Sequence, residues 1–227
     1  MRRVLARLAL CAGALLAPFA AHACNLSMNN VTVTSGQISP TVNHTRPEAE
    51  LTEVAEESRP GDADGITSVR FDSKIDIQDA GYRDGCPIVD VNIRLFAPVA
   101  TVYIAREVPE DACRYGAVMD HELKHVQIAQ RALDETAAAF KRRLMDSASV
   151  PPFAAHRWTQ APSDSGWQLD SWLRDQTAMA IEYANALFDK GNHQLDVPEE
   201  GARLQRMCAH TEAPTEAIIG QRRYNLD

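Results

Sequence analysis

PEDACRYGAVMDHELKHVQIAQRALDETAAAFKRRLMDS, residues 109–147, decides how the rest of the chain is read. Pro109 followed by Glu110 and Asp111 is a helix start: proline at a first turn lacks only a donor that would go unused, and acids favour the positive end of the helix dipole. Val150-Pro151-Pro152 is a stop, so one long helix is predicted from about Pro109 to about Ser147. Projected at about 100° per residue, Tyr115, Met119, Val126, Ala129, Leu133, Ala137, Phe140 and Leu144 form one apolar stripe. Glu122 falls within that stripe, and His121 and His125 flank its edge. These three are the fixed letters of an H-E-x-x-H pentapeptide, His121-Glu122-Leu123-Lys124-His125. Residues four apart on a helix stand one turn above each other, so the two imidazoles can converge on a single point. Zinc suits such a pair. It takes nitrogen, oxygen and sulfur donors tetrahedrally, and a catalytic site uses three protein donors and keeps one position open. A carboxylate beside that position, Glu122, is placed to take a proton from water.

Upstream, three strands are predicted. Val69, Phe71, Ile75 and Ile77 alternate with Arg70, Asp72, Lys74 and Asp76. Val89, Val91, Ile93 and Leu95 alternate with Asp90, Asn92 and Arg94. Phe96-Ala97-Pro98 then reads as a turn, and Thr101 to Val108 as a third strand with an edge that an extended peptide can join. Downstream, a second helix is predicted from Gly166 to Asp189, ended by Lys190-Gly191-Asn192, and a shorter third from Pro198 to Ala209. The fold class that follows is α+β, a small, mostly antiparallel sheet packed on long antiparallel helices.

The remaining stretches place the chain in a compartment. Arg2, Arg3 and Arg7 precede an apolar run, Leu8 to Phe19, that is too short to span a membrane, and Ala21-His22-Ala23 is an A-x-A cleavage site. Residues 1–23 are therefore expected to be a signal peptide, the mature chain secreted or periplasmic and beginning at Cys24. A lipid on Cys24 is the lesser alternative. Cys24, Cys86, Cys113 and Cys208 then form an even set, expected as two disulfides in an oxidising compartment. Residues 24–65, rich in Asn, Ser, Thr, Pro and acids, read as an extended arm of low order with one strand-like alternation at Val31 and Val33. A pro-segment role for the arm is open. Residues 66–227 read as a single catalytic domain. The formal net charge of −8 argues against a nucleic-acid partner.

Two histidines need a third donor, and Glu182, His193, Asp196 and His210 are the candidates. Glu182 lies about 180° from Leu173, on the polar face of its helix. In an antiparallel pair of helices, the length from His125 to the first helix end returns the chain to about Phe188, with His193 just beyond.

The chain resembles, over about Thr101 to Asp196, a bacterial family of predicted secreted zinc-dependent proteases, zincin-like metallopeptidases. Its members pair H-E-x-x-H with a later helix ending in Tyr-Asp and then His-Gly. Here Phe188-Asp189 and His193 occupy those places, with Phe188 for the tyrosine and Gln194 for the glycine. The resemblance implies a zincin-like fold and a zinc metallopeptidase with His193 as third ligand. The expected function is accordingly hydrolysis of a peptide or protein substrate, zinc on His121, His125 and His193, and Glu122 as general base. Tyr183, His210 and Tyr224 are available as oxyanion donors. The alternative is a noncatalytic exported protein with a structural zinc or a partner-binding sheet edge.

Overall fold

A computed structural model describes residues 27–56, 63–84, 86–110, 112–149 and 162–208. The elements run β1 (Ser27–Ser35), β2 (Thr41–Asn43), α1 (Glu48–Glu56), β3 (Gly65–Arg83), β4 (Cys86–Ile104), α2 (Cys113–Ser149), α3 (Pro162–Leu195) and α4 (Pro198–Cys208). Residues 1–23 and Cys24 lie outside the described residues, as do His210 and Tyr224. Among the described residues no helix is long and apolar enough to cross a membrane.

β4 is the centre of a four-stranded sheet. β3 pairs with it antiparallel along its whole length, from Gly65↔Ile104 to Arg83↔Cys86. On the other edge β1 runs parallel to its first half and β2 parallel to its second, Ser27↔Ile88 to Ser35↔Leu95 and Thr41↔Thr101 to Asn43↔Tyr103. Two of the three pairings are thus parallel, which corrects the expectation of a mostly antiparallel sheet. The parallel partners come from the segment read as an arm of low order. β1 reaches β4 only after β2, α1 and β3 have intervened, and a crossover of that length carries none of the constraint a hairpin places on strand direction. α1 adds Leu51 and Ala55 to the core although its surface is acidic.

The β3–β4 pairing runs out to Arg83↔Cys86, and Asp84, just past β3, has φ 54°. The expected turn at Phe96-Ala97-Pro98 is a bulge inside one continuous strand. Arg70 pairs with Val99 and Asp72 with Phe96, so Ala97 and Pro98 together oppose Phe71. Pro98 has no amide proton to give a ladder, and a bulge tolerates that loss. The extra residue shifts the alternation by one. Val91, Ile93 and Leu95 are buried before it, and Ala100, Val102 and Ile104 after it. β4 has partners on both edges, so the strand preceding the long helix offers no free edge.

Two turns, Val108 N–H to Ala105 O at 3.0 Å and Ala112 N–H to Pro109 O at 3.0 Å, lead into α2, which begins at Cys113 rather than Pro109. α2 packs on the sheet against β1, β3 and β4, and α3 lies beside it and also reaches β3, where Phe188 meets Phe71 edge-on. Its inward face carries Val126, Ala129, Leu133, Ala137, Phe140 and Leu144, against Leu169, Leu173, Ala180, Ala184 and Phe188 of α3. The two helices are antiparallel: Arg143 meets Met179, Glu135 meets Tyr183 and His125 meets Asn192. α3 continues past the expected stop at Lys190-Gly191-Asn192 to Leu195. Gly191 is not a cap but a close-approach residue, since a Cβ there would run into Ile128 Cγ2 of α2. α4 is tied to the start of α2 by the disulfide Cys113–Cys208, whose Cα atoms are 5.7 Å apart. Cys86 is also disulfide-bonded.

Gly191→Ala sets two effects against each other. Alanine in a helix interior gains up to about 1 kcal/mol over glycine, whereas overpacking a well-filled seam costs about 1–3 kcal/mol. The clash lies against a branched side chain in the helix seam, so a net loss is expected, read as a Tm lowered by several degrees; an unchanged or raised Tm would show that the seam yields.

Candidate metal centre

His121, Glu122 and His125 keep 5, 3 and 6% of their surface, which places the pentapeptide inside the protein. α2 supplies them from the edge of its buried stripe, and the antiparallel seam sets the end of α3 opposite. Asn192 comes level with His125, and Asp196, one residue past the helix and still bonded through its N–H to Asn192 O at 2.8 Å, comes level with His121.

Three atoms converge. His121 Nε2 is 3.1 Å from Asp196 Oδ1, His125 Nε2 is 3.2 Å from the same oxygen, and the two Nε2 atoms are 3.2 Å apart. A tetrahedral ion with bonds of about 2.0 Å has donor–donor edges of about 3.3 Å, so this triangle has the size of one tetrahedral face. Protonation makes the same point. His125 Nδ1 stands 2.8 Å from Asn192 Oδ1, and His121 Nδ1 faces Glu200 Oε1 at 3.5 Å. With both Nδ1–H groups donating to those oxygens, both Nε2 atoms present lone pairs toward a carboxylate oxygen. Three lone pairs pointing at one place repel unless a metal ion or an added proton lies between them. His121, His125 and Asp196 form the one three-donor cluster of metal-ligand type among the described residues.

The surroundings bias each group. Burial works against charging His125, but the hydrogen bond to Asp196 and the charges of Glu122 and Asp196 outweigh it and make the imidazole more basic than usual. Glu200 is held well below the usual carboxylate range, first by Arg203, whose Nε and Nη2 lie 2.6 Å from its two oxygens, and also by Lys124 at 3.1 Å. It therefore remains an anionic acceptor for His121. Desolvation raises the Glu122 carboxyl, opposed by His125, by the Thr67 hydroxyl at 2.8 Å and by His121. β3 comes this close to Glu122 because Gly65 has no side chain. A Cβ there would be 2.7 Å from Val118 Cγ1 and 2.9 Å from Glu122 Oε1.

Of the expected third donors, Asp196 joins the cluster and His193 does not. His193 is exposed and its Nδ1 lies 2.7 Å from Asp189 O, one turn back on its own helix. The length match was right to within a turn, but Asn192 and Asp196 are the residues that face the histidines of α2, and His193 is rotated about 100° from Asn192. Glu182 is exposed, and Tyr183 is exposed with its hydroxyl 3.3 Å from Glu135, on the outer seam. Thr67, Asn192 and Glu200 went unread as site residues. For Asn192 and Asp196 a signal existed: they repeat the i, i+4 spacing of His121 and His125 on the antiparallel helix.

Gly65→Ala is expected to press on Val118 and Glu122 and overpack the contact between β3 and α2, at a cost of about 1–3 kcal/mol that lowers Tm by several degrees. An unchanged Tm would show that β3 gives way instead.

The cluster and its spacing match those of zincin sites built on H-E-x-x-H. No protein-family model, curated protein or solved structure matches the chain.

Proposed function

We propose that the protein is an exported zinc-dependent peptidase. The observation that carries this reading is the convergence of His121 Nε2, His125 Nε2 and Asp196 Oδ1 on one point, with the Glu122 carboxyl close enough to interact with the charges of all three. Zinc, when bound there, supplies Lewis acidity that makes water a nucleophile near neutral pH and polarises a carbonyl. The chain's own residues do the rest. His121, His125 and Asp196 hold the ion, and Asn192 and Glu200 fix the two imidazoles so that Nε2 faces it. Glu122, oriented by Thr67, accepts the proton of the attacking water and returns it to the leaving amine.

Three donors from the protein leave a tetrahedral ion one position for substrate chemistry, and a clamp of purely structural kind closes that position with a fourth ligand. A general base next to the ion serves hydrolysis and has no use in such a clamp. Export is supported by the signal-like residues 1–23 and by the disulfide Cys113–Cys208.

Metal analysis of the purified mature chain is expected to find stoichiometric zinc. The chain is also expected to cut a proteome-derived peptide library, with activity removed by a chelator and restored by zinc. Zinc-loaded protein that leaves the whole library intact would sink the peptidase reading, and copurifying iron would redirect it to oxygen chemistry on the same donors.

A further inference from the structure

A groove of about 490 Å³ runs along the seam of α2 and α3. Its lining residues are chain neighbours of three residues of the metal centre: Lys124 precedes His125, Gly191 precedes Asn192 and Leu195 precedes Asp196. The floor is apolar, formed by Ile128, Leu187 and Leu195, and three cations, Lys124, Arg131 and Lys190, stand around it. One acid, Glu135, shares the lining, and it already accepts from the Tyr183 hydroxyl at 3.3 Å.

This is an inverted charge balance for a chain whose formal net charge is −8. Lys124 shows what the near end of the groove takes, because it holds a carboxylate, that of Glu200, at 3.1 Å. Arg131 and Lys190 are exposed, and among the described residues neither has a hydrogen bond or ion pair. Exposed, unpaired cations over an apolar floor suit an extended peptide that carries acidic side chains. Arg131 stands six residues along α2 from His125, a helical rise of about 9 Å, which is about three residues of extended chain.

We propose that this groove binds the flanking segment of a peptide substrate and selects acidic side chains about three residues from the bond to be cut, with Arg131 and Lys190 as the specificity-determining cations. The proposal rests on the peptidase reading for its chemistry, but its test does not depend on turnover. Three fluorescein-labelled peptides of one sequence, differing only in carrying Glu, Gln or Lys at the selected positions, are titrated into zinc-loaded Glu122→Gln protein and followed by anisotropy.

The Glu peptide is expected to bind at least about tenfold more tightly than the Gln peptide, and the Lys peptide most weakly. Arg131→Glu combined with Lys190→Glu is expected to reverse that order while zinc content stays unchanged. Equal binding of the Glu and Gln peptides, no binding by any of the three, or the same preference in the charge-reversed variant would each overturn the groove. Failure of the peptidase reading looks different: wild-type protein would cut no peptide, while the acidic preference in binding would persist.

Discussion

Asp196→Ala is expected to weaken zinc binding by at least about a hundredfold, while His193→Ala leaves it within about twofold. Without Asp196 Oδ1, 3.1 and 3.2 Å from the two Nε2 atoms, a bound ion would keep two imidazole donors and lose its one anionic donor. His193 has no comparable part, because its Nδ1 is bonded to Asp189 O at 2.7 Å on the exposed side of α3. Competition against a chromogenic chelator measures both variants. The rise of Tm on adding zinc gives a second readout, since a ligand bound only by the folded state stabilises it by mass action. Severe loss in His193→Ala with wild-type affinity in Asp196→Ala would return the third position to the histidine.

Glu122→Gln is expected to keep zinc and fold while peptide hydrolysis falls by at least about a hundredfold, the scale of a lost general base. The amide is nearly the same shape and its oxygen still accepts from Thr67. Stability should not suffer. Burial raises the Glu122 carboxyl, so in the metal-free protein its ionised form is disfavoured by folding, and a neutral amide removes that penalty at neutral pH. The expected pattern is therefore lost turnover with an unchanged or higher metal-free Tm. Undiminished turnover would take Glu122 out of the chemistry.

The part of the site that lies on one helix was legible from sequence, because helical periodicity places His121, Glu122 and His125 on the buried stripe without knowledge of anything else. The third donor was harder to read because it depends on where a second helix ends and on its rotation. Gly191 looks like a helix stop, yet its missing side chain serves contact with Ile128, so α3 runs on to Leu195 and turns Asp196, not His193, toward α2. The sheet failed for a related reason. A one-residue change of phase at Ala97-Pro98 looks the same in sequence whether the chain turns back or bulges, and only the partner strand, unbroken from Gly65 to Arg83, distinguishes them. β1 showed in sequence only as the short alternation at Val31 and Val33, because most of its other residues are polar. A strand beside β4, whose inner face Val91, Ile93 and Leu95 make fully apolar, needs little apolar surface of its own.

The bond between Cys113 and Cys208, 95 residues apart in sequence, turns the stretch between them into a covalent ring. His121, Glu122, His125, Asn192, Asp196 and Glu200 all belong to that ring. A single cut anywhere inside it, whether by a foreign protease or by a second copy of the chain, opens the ring without separating the donors. Both fragments stay on one molecule, and the seam between α2 and α3 still holds them face to face. Release of a bound metal by proteolysis would then require a second cut or a reductant as well.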